Sequence, residues 1–214
     1  SLTRADVSDR GLPFMGCACI DVAALPAVVA RLSLTGERGY EINVRASQQH
    51  ALWQALMTAG TPLGMRPIGM RAQDSLRLEK GYGVWSLEFS TTCTPAMAGL
   101  ERFVAADKGD FIGREAFLAA RETGPEMKLV LLQVESPDAD ATGYEPIHHH
   151  DQRIGYVTSG AYGHHVRQSL ALAYVDTGWC EATDPLSVTI LGKPRAARIL
   201  RAPPYDPTGS QLRG

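Results

Sequence analysis

Thr35-Gly36-Glu37-Arg38-Gly39-Tyr40-Glu41-Ile42-Asn43-Val44 reads as a tight, glycine-punctuated turn running straight into a strand. Successive side chains of an extended chain point to opposite faces, so Glu41 stands away from the apolar set Tyr40, Ile42 and Val44. One carboxylate therefore occupies the polar face of a sheet. Taken alone it is either a solvated hairpin glutamate or an acceptor for two parallel N–H donors of a flat ligand. The flanking sequence has to choose between them.

Working outward, Pro13-Phe14-Met15 leads into a strand over Cys17–Val22, with a second over Val28–Leu34 and a third over Tyr40–Val44. A helix follows, with Ser47 as its N-cap, Leu52/Leu56 and Trp53/Met57 as i,i+4 apolar pairs, and Gly60 at its end. The spacing predicts a second helix over Gly69–Lys80 that stops at Gly81. Strands followed by helices on one side make an α+β layer, part of a ferredoxin-like plait. From Gly81 to Gly109 the chain is irregular, and Asp110 is placed to cap a helix near Ile112–Glu122 that Gly124-Pro125 closes.

Beyond Glu126 the texture changes. Lys128–Glu135, Arg153–Ser159, Ser169–Val175, Leu186–Leu191 and Arg195–Leu200 are short β-branched-rich runs separated by polar turns. That pattern predicts an all-β barrel or sandwich. The expected domains are therefore residues 1–124, α+β, and residues 125–214, all-β.

The 214 residues suffice for one large or two small domains, and 44% apolar with 21% charged residues is ordinary globular composition. A net charge of −2 gives no electrostatic footprint for nucleic acid or acidic membranes. No apolar run approaches the ~20 residues that span a bilayer. The polar start Ser1-Leu2-Thr3-Arg4 lacks signal-peptide character, and Ser1 in place of Met is expected of a processed chain or, preferably, of a fragment of a longer one. Cys17, Cys19, Cys93 and Cys180 are too few and scattered for a disulfide framework, so buried free thiols in a reducing cytoplasm are expected. His148-His149-His150 and His164-His165 read as surface loops: on an extended segment only His148 and His150 share a face, and no further ligands appear at metal-binding spacing. The loop Ser159-Gly160-Ala161-Tyr162-Gly163-His164 lacks the spacing and context of a nucleotide-binding fingerprint.

Several blocks fall in one order: TGERGYEINV (35–44), GMRAQDSLRLEKGYGVW (69–85), Thr94-Pro95, Gly99-Leu100, DKGDFIGREAF (107–117), VTSG (157–160), SLALAYV (169–175) and PPYDP (203–207). Together, from Pro13 to Pro207, they resemble the glycine-cleavage T-protein (aminomethyltransferase) family. The second block is more similar to the folate-binding C-terminal half of flavin-dependent dimethylglycine and sarcosine dehydrogenases. Gln73 stands where the T-protein pattern carries Arg, and Lys80 and Trp85 also follow the dehydrogenase branch.

The resemblance implies a T-protein folate-binding layer followed by a C-terminal β-barrel, within a ring of three domains around a channel for tetrahydrofolate. It implies that Glu41 binds the pteridine, whose amino group and adjacent ring N–H form a parallel donor pair. Tyr82 and Trp85 would line or approach the channel. Gln73 can only hydrogen-bond where the family's arginine would pair with an anion. Arg77 and Glu79 are expected to be structural anchors between domains, and nothing physical accounts for Met97 where the family has an acid. The family's catalytic aspartate falls upstream of this chain, so no catalytic residue is assigned within it. FAD would belong only to a missing N-terminal domain.

The implied activity is aminomethyl or methylene transfer to tetrahydrofolate, forming 5,10-methylenetetrahydrofolate from a small methylamine-type substrate. The chain is expected to be inactive alone, its partner being the missing domain or a separate subunit. Two alternatives stay open at this point: a non-catalytic binding or scaffold module, and a folate-dependent demethylase of the same superfamily.

Overall fold

A two-residue hairpin sets the first sheet. The computed structural model describes residues 2–213. Strands β1 (Cys17–Val22) and β2 (Leu25–Ala30) are joined through Ala23 and Ala24, both in the left-handed region at φ 51° and 61°. Two consecutive positive φ values give the turn a twist that matches paired antiparallel strands. Strand β3 (Glu41–Asn43) adds to β2, so the order is β1-β2-β3 and every pair is antiparallel. Ala18, Ile20, Val22, Ala27, Val29 and Ile42 share one face and pack with Leu12 and with Leu52 and Leu56 of helix α1 (Gln49–Gly60).

Two local expectations change here. β2 runs over Leu25–Ala30 rather than Val28–Leu34. Pro26 is tolerated because β3 pairs only with Val28–Ala30, so no ladder bond is required of the missing N–H. Ser47 does not cap α1: the chain enters through a 3-10 turn at Ala46–Gln48, and Gln48 occupies the cap position with no side-chain bond.

Helix α2 (Met70–Glu79) ends at Gly81, whose φ of 67° a side chain would resist. The chain divides into two compact units, one running to Gln73 and taking in the segment from Asp206, the other Asp74–Tyr205. Within the second unit, α3 (Arg114–Thr123) is preceded by Gly113 in the left-handed conformation at its N-cap, so Asp110 is not the cap. Gly124 follows the helix at φ 77° and the barrel begins directly after it, at the expected step in texture.

The barrel strands are β4 (Met127–Val134), β5 (Pro146–His149), β6 (Gln152–Gly163), β7 (Gln168–Asp176), β8 (Leu186–Ile190) and β9 (Lys193–Leu200). They close in the order β4-β7-β6-β5-β8-β9, with β9 returning to β4. Strand β5 was not expected. Its histidines hid it: His148 and His149 are half-buried in the sheet, and only His150, at φ 50°, belongs to the turn into β6.

The run SLALAYV is continuously apolar because β7 is covered on both sides. Ala171, Ala173 and Val175 fill the barrel with Leu132, Ile147, Ile154 and Val188, while Leu170 and Leu172 face outward onto Leu78 of α2. A strand packed on both faces loses the polar alternation of a half-exposed one. A last short helix, α4 (Ser210–Arg213), is capped by Asp206, which accepts from the amides of Ser210 and Gln211 at 2.8 and 3.2 Å. The expected α+β layer followed by a C-terminal β-barrel is the architecture observed.

Candidate functional site

Glu41 lies on the sheet face opposite the core, as its alternation with Ile42 requires. Across that face the register sets Glu41 beside Ala30, and Ala30 beside Cys17; the next row is Asn43, Val28 and Cys19. Asn43 Nδ2 donates to Glu41 Oε1 at 3.1 Å. An exposed carboxylate with one oxygen oriented by a neighbour keeps acceptor capacity for a ligand. The core-side neighbour Tyr40 is instead tied down, donating its hydroxyl to Val7 O at 2.5 Å.

Cys17 and Cys19 share this face and are both exposed, which corrects the expectation of buried thiols; only Cys180 is buried. The i,i+2 spacing on β1 puts both thiols on the side away from the core. Two clefts of about 680 and 570 Å³ belong to this unit, lined by the Leu2–Ala5 and Ala23–Ala24 segments and by Ile42, His50, Trp53 and Leu56. Neither lining includes Glu41 or Gln73. Gln73 is half-buried on α2, and its side-chain amide makes no hydrogen bond among the described residues.

Tyr82 and Trp85 belong to the second unit, in the irregular stretch after α2. Tyr82 is half-buried, whereas the Trp85 indole is 74% exposed. The stretch is held by charged groups that are themselves buried. Arg77 Nη1 donates to Tyr82 O at 3.2 Å, Arg77 Nε to Asp74 Oδ1 at 3.2 Å, and Glu88 Oε2 lies 3.6 Å from Arg77 Nη1. Glu79 Oε1 accepts from the amides of His165 and Val166 at 2.8 and 3.4 Å. Arg77 and Glu79, expected as anchors between domains, thus fasten α2 to two loops inside one unit.

Glu88 is the residue that sequence reading missed. It has no exposed surface and accepts from Val84 N at 2.9 Å, Thr158 Oγ1 at 2.6 Å and Ser159 Oγ at 2.5 Å. The available signal was the pair of adjacent hydroxyls in VTSG, a run otherwise built like a barrel strand. Tyr174 OH donates to Glu88 O at 2.8 Å. Burial, and then a hydrogen bond with Cys93, pushes the Tyr174 phenol well above its ordinary range. Burial also acts to raise the Cys93 thiol, but hydrogen bonds with Tyr174, Ser90 and Thr92 outweigh it and hold the thiol below its usual value.

Among the described residues no group of three or more His, Cys, Asp or Glu is placed to hold a metal ion. The His149 ring packs on Trp179 at 4.1 Å between centroids at the end of β5, and His164 and His165 are exposed in the turn between β6 and β7. No helix among the described residues is long and apolar enough to cross a membrane.

An α+β layer with an open-faced glutamate, followed by a closed six-stranded barrel, defines the class to which the chain compares. Residues 1–108 match the model of the GCVT N-terminal domain, and residues 128–206 that of the glycine cleavage T-protein C-terminal barrel domain. The chain belongs to the glycine cleavage T-protein family.

Relatives of both kinds suggested by the sequence are found. Mitochondrial dimethylglycine dehydrogenase of Homo sapiens is 36% identical over 99% of this chain and 25% of its own length. An aminomethyltransferase of Streptomyces avermitilis is 39% identical over 96% of this chain and 56% of its own length. The crystal structure of glycine cleavage system aminomethyltransferase T from Bartonella henselae superimposes with a TM-score of 0.80 at 26% identity, covering 95% of this chain and 54% of that one. The chain thus spans about a quarter of the dehydrogenase and about half of the aminomethyltransferases.

Proposed function

We propose that this chain supplies the pteridine-orienting part of a tetrahydrofolate-dependent one-carbon transfer protein. The reaction in this reading forms 5,10-methylenetetrahydrofolate in a dimethylglycine or sarcosine dehydrogenase-like enzyme. The single observation that carries it is Glu41: a carboxylate on the open sheet face, turned by Asn43, with acceptor capacity left over. That geometry fits the two parallel N–H donors at a pteridine edge. When bound, tetrahydrofolate supplies the N5 nucleophile that takes up the one-carbon unit and the N10 that completes the product ring.

The chain's own residues bind and orient. Glu41 accepts the pteridine donors and so fixes which face of the ring meets the donor carbon, a positioning contribution. Gln73, half-buried on α2, offers a neutral donor and acceptor toward a polar group of the folate. Tyr82 and Trp85 offer flat area to its aromatic portion and help keep water from a reactive electrophile. The proton-accepting aspartate, the rest of the pocket and any FAD domain belong in this reading to the parts of the relatives that the chain does not span. The methylamine-type substrate binds there as well. Two exposed free thiols on one strand suit a reducing compartment and support a cytoplasmic setting.

Calorimetric titration with 5-formyltetrahydrofolate tests the reading, on this chain and on a version extended upstream of Ser1. Weak or no binding is expected to the first and clear binding to the second, lost on Glu41→Gln. Binding to the extended chain that ignores Glu41→Gln would remove Glu41 from the site. Turnover of an aminomethyl donor by the present chain alone would refute the shared pocket.

A further inference from the structure

The buried network around Glu88 is not used by the folate reading, yet it sits under two of that reading's residues. In a regular strand Thr158 and Ser159 would point to opposite faces. The register between β6 and β7 slips here: Val157 faces Ala173 while Ser159 faces Leu172, which leaves Thr158 as the extra residue of a bulge. Both hydroxyls consequently reach one atom, Glu88 Oε1, at 2.6 and 2.5 Å. The other oxygen takes the Val84 amide at 2.9 Å and lies 3.6 Å from the Arg77 guanidinium. With three hydrogen bonds, the Arg77 charge beside it and no exposed surface, Glu88 is closed off from direct contact with a ligand.

What it holds is the stretch Tyr82–Phe89. Lacking a regular ladder, this stretch needs other partners for its backbone polar groups. Glu88 takes the amide of Val84, Arg77 takes the carbonyl of Tyr82, and Ser86 N closes onto Phe89 O at 2.8 Å with Ser86 at φ 73°. Gly83 lets the loop lie flat, since a Cβ there would sit 2.7 Å from the Phe89 ring and 2.8 Å from Glu88 Cβ. The backbone that carries Tyr82 and Trp85 is thus held on either side of Val84 by a buried ion pair. We propose that Glu88 is a positioning residue: with Arg77, Thr158 and Ser159 it forms a clamp that sets the attitude of Tyr82 and Trp85 toward the site's ligand. The proposal rests on the folate reading of those two aromatics.

The test separates the clamp from that reading. Glu88→Gln keeps the shape and some hydrogen bonds but removes the charge facing Arg77. Amide exchange at Val84–Phe89 is expected to speed up about tenfold, with β4 and β7 unchanged, while affinity of the upstream-extended chain for 5-formyltetrahydrofolate falls by about the same factor. Thr158→Val, which spares the ion pair, is expected to give a smaller change of the same kind and replaces Glu88→Gln should that variant fail to fold. Unchanged exchange at Val84–Phe89 overturns the clamp, and a loosened loop with unchanged affinity overturns its positioning role. Failure of the wild-type extended chain to bind 5-formyltetrahydrofolate would instead sink the folate reading and with it the positioning role, the exchange data still deciding the clamp.

Discussion

Asn43 and Glu41, two residues apart on β3, stand side by side on the open face, with Asn43 Nδ2 donating to Glu41 Oε1 at 3.1 Å. The amide restricts the carboxylate to orientations in which its remaining acceptor capacity faces outward. Replacing Glu41 by Gln turns one acceptor into a donor facing a ligand N–H. A lost hydrogen bond to a charged group costs about 1.5–3 kcal/mol, so 5-formyltetrahydrofolate affinity of the upstream-extended chain should fall about ten- to a hundredfold. Asn43→Ala should cost less, because it removes only the orienting bond. The reverse ranking by calorimetry would mean that Asn43 itself touches the folate.

The barrel interior should behave as a close-packed core. Leu132 has no exposed surface and packs among Ile147, Ile154 and Val188. Leu132→Ala should lower unfolding free energy in urea by about 2–5 kcal/mol through lost transfer energy plus the cavity left behind. Leu63, 87% exposed, is the control, and its change to Ala should be close to neutral. Equal effects at the two positions would contradict the packing described.

Gly155 lets β6 and β7 approach closely. A Cβ built on it would stand 2.2 Å from the carbonyl oxygen of Tyr174, a backbone atom that cannot swing aside. Gly155→Ala should therefore break the β6–β7 pairing locally and lower the urea midpoint clearly. Gly178, with open space around it, should accept alanine at little cost. Comparable midpoints for the two variants would refute this account.

Much of this was readable in the sequence where a period or a turn residue carried it. The strand over Lys128–Glu135 and the run SLALAYV announce β4 and β7, and Gly81 and Gly124 mark helix ends through the positive φ that they adopt. β5 was not readable, since its polar histidines disguise a strand that the barrel half-buries. The outward direction of Glu41 followed from simple alternation. Glu88 could not have been found that way: its hydroxyl partners lie 70 and 71 residues later, and only an unforeseen bulge turns both of them toward it.

Tyr174 should leave a mark at alkaline pH. Its folded-state value is raised above the ordinary value of 10.0, first by burial and then by its bond with Cys93. The unfolded chain therefore releases this proton while the folded one keeps it, so stability is full below about pH 10 and declines as pH rises further. Tyr174→Phe should flatten part of that decline. Its cost at neutral pH should be about 1 kcal/mol, for the lost bond to Glu88 O. Tyr156, also raised by burial, leaves a residual slope. Urea midpoints measured from about pH 8 to 11 would show identical slopes in the two proteins if Tyr174 ionised freely.

Asp9 should make the first unit sensitive to acid. Its carboxylate is bonded to Arg31 and Arg38, and the Arg31 side chain is almost wholly buried, with further bonds to Leu12 O at 3.3 Å and Arg213 O at 3.5 Å. The hydrogen bond from Arg31, ahead of the opposing effect of burial, holds the Asp9 carboxyl below its ordinary 3.8. A depressed folded-state value stabilises above the ordinary value and loses that stabilisation as pH falls through the folded one. Asp9→Asn removes this contribution and leaves a buried guanidinium without its opposing charge, an arrangement that costs more than the pair is worth. The variant should melt lower than the wild type at pH 7, and the gap should narrow as both are acidified toward pH ~2. A gap that stays constant across that range would show that Asp9 acts through shape alone.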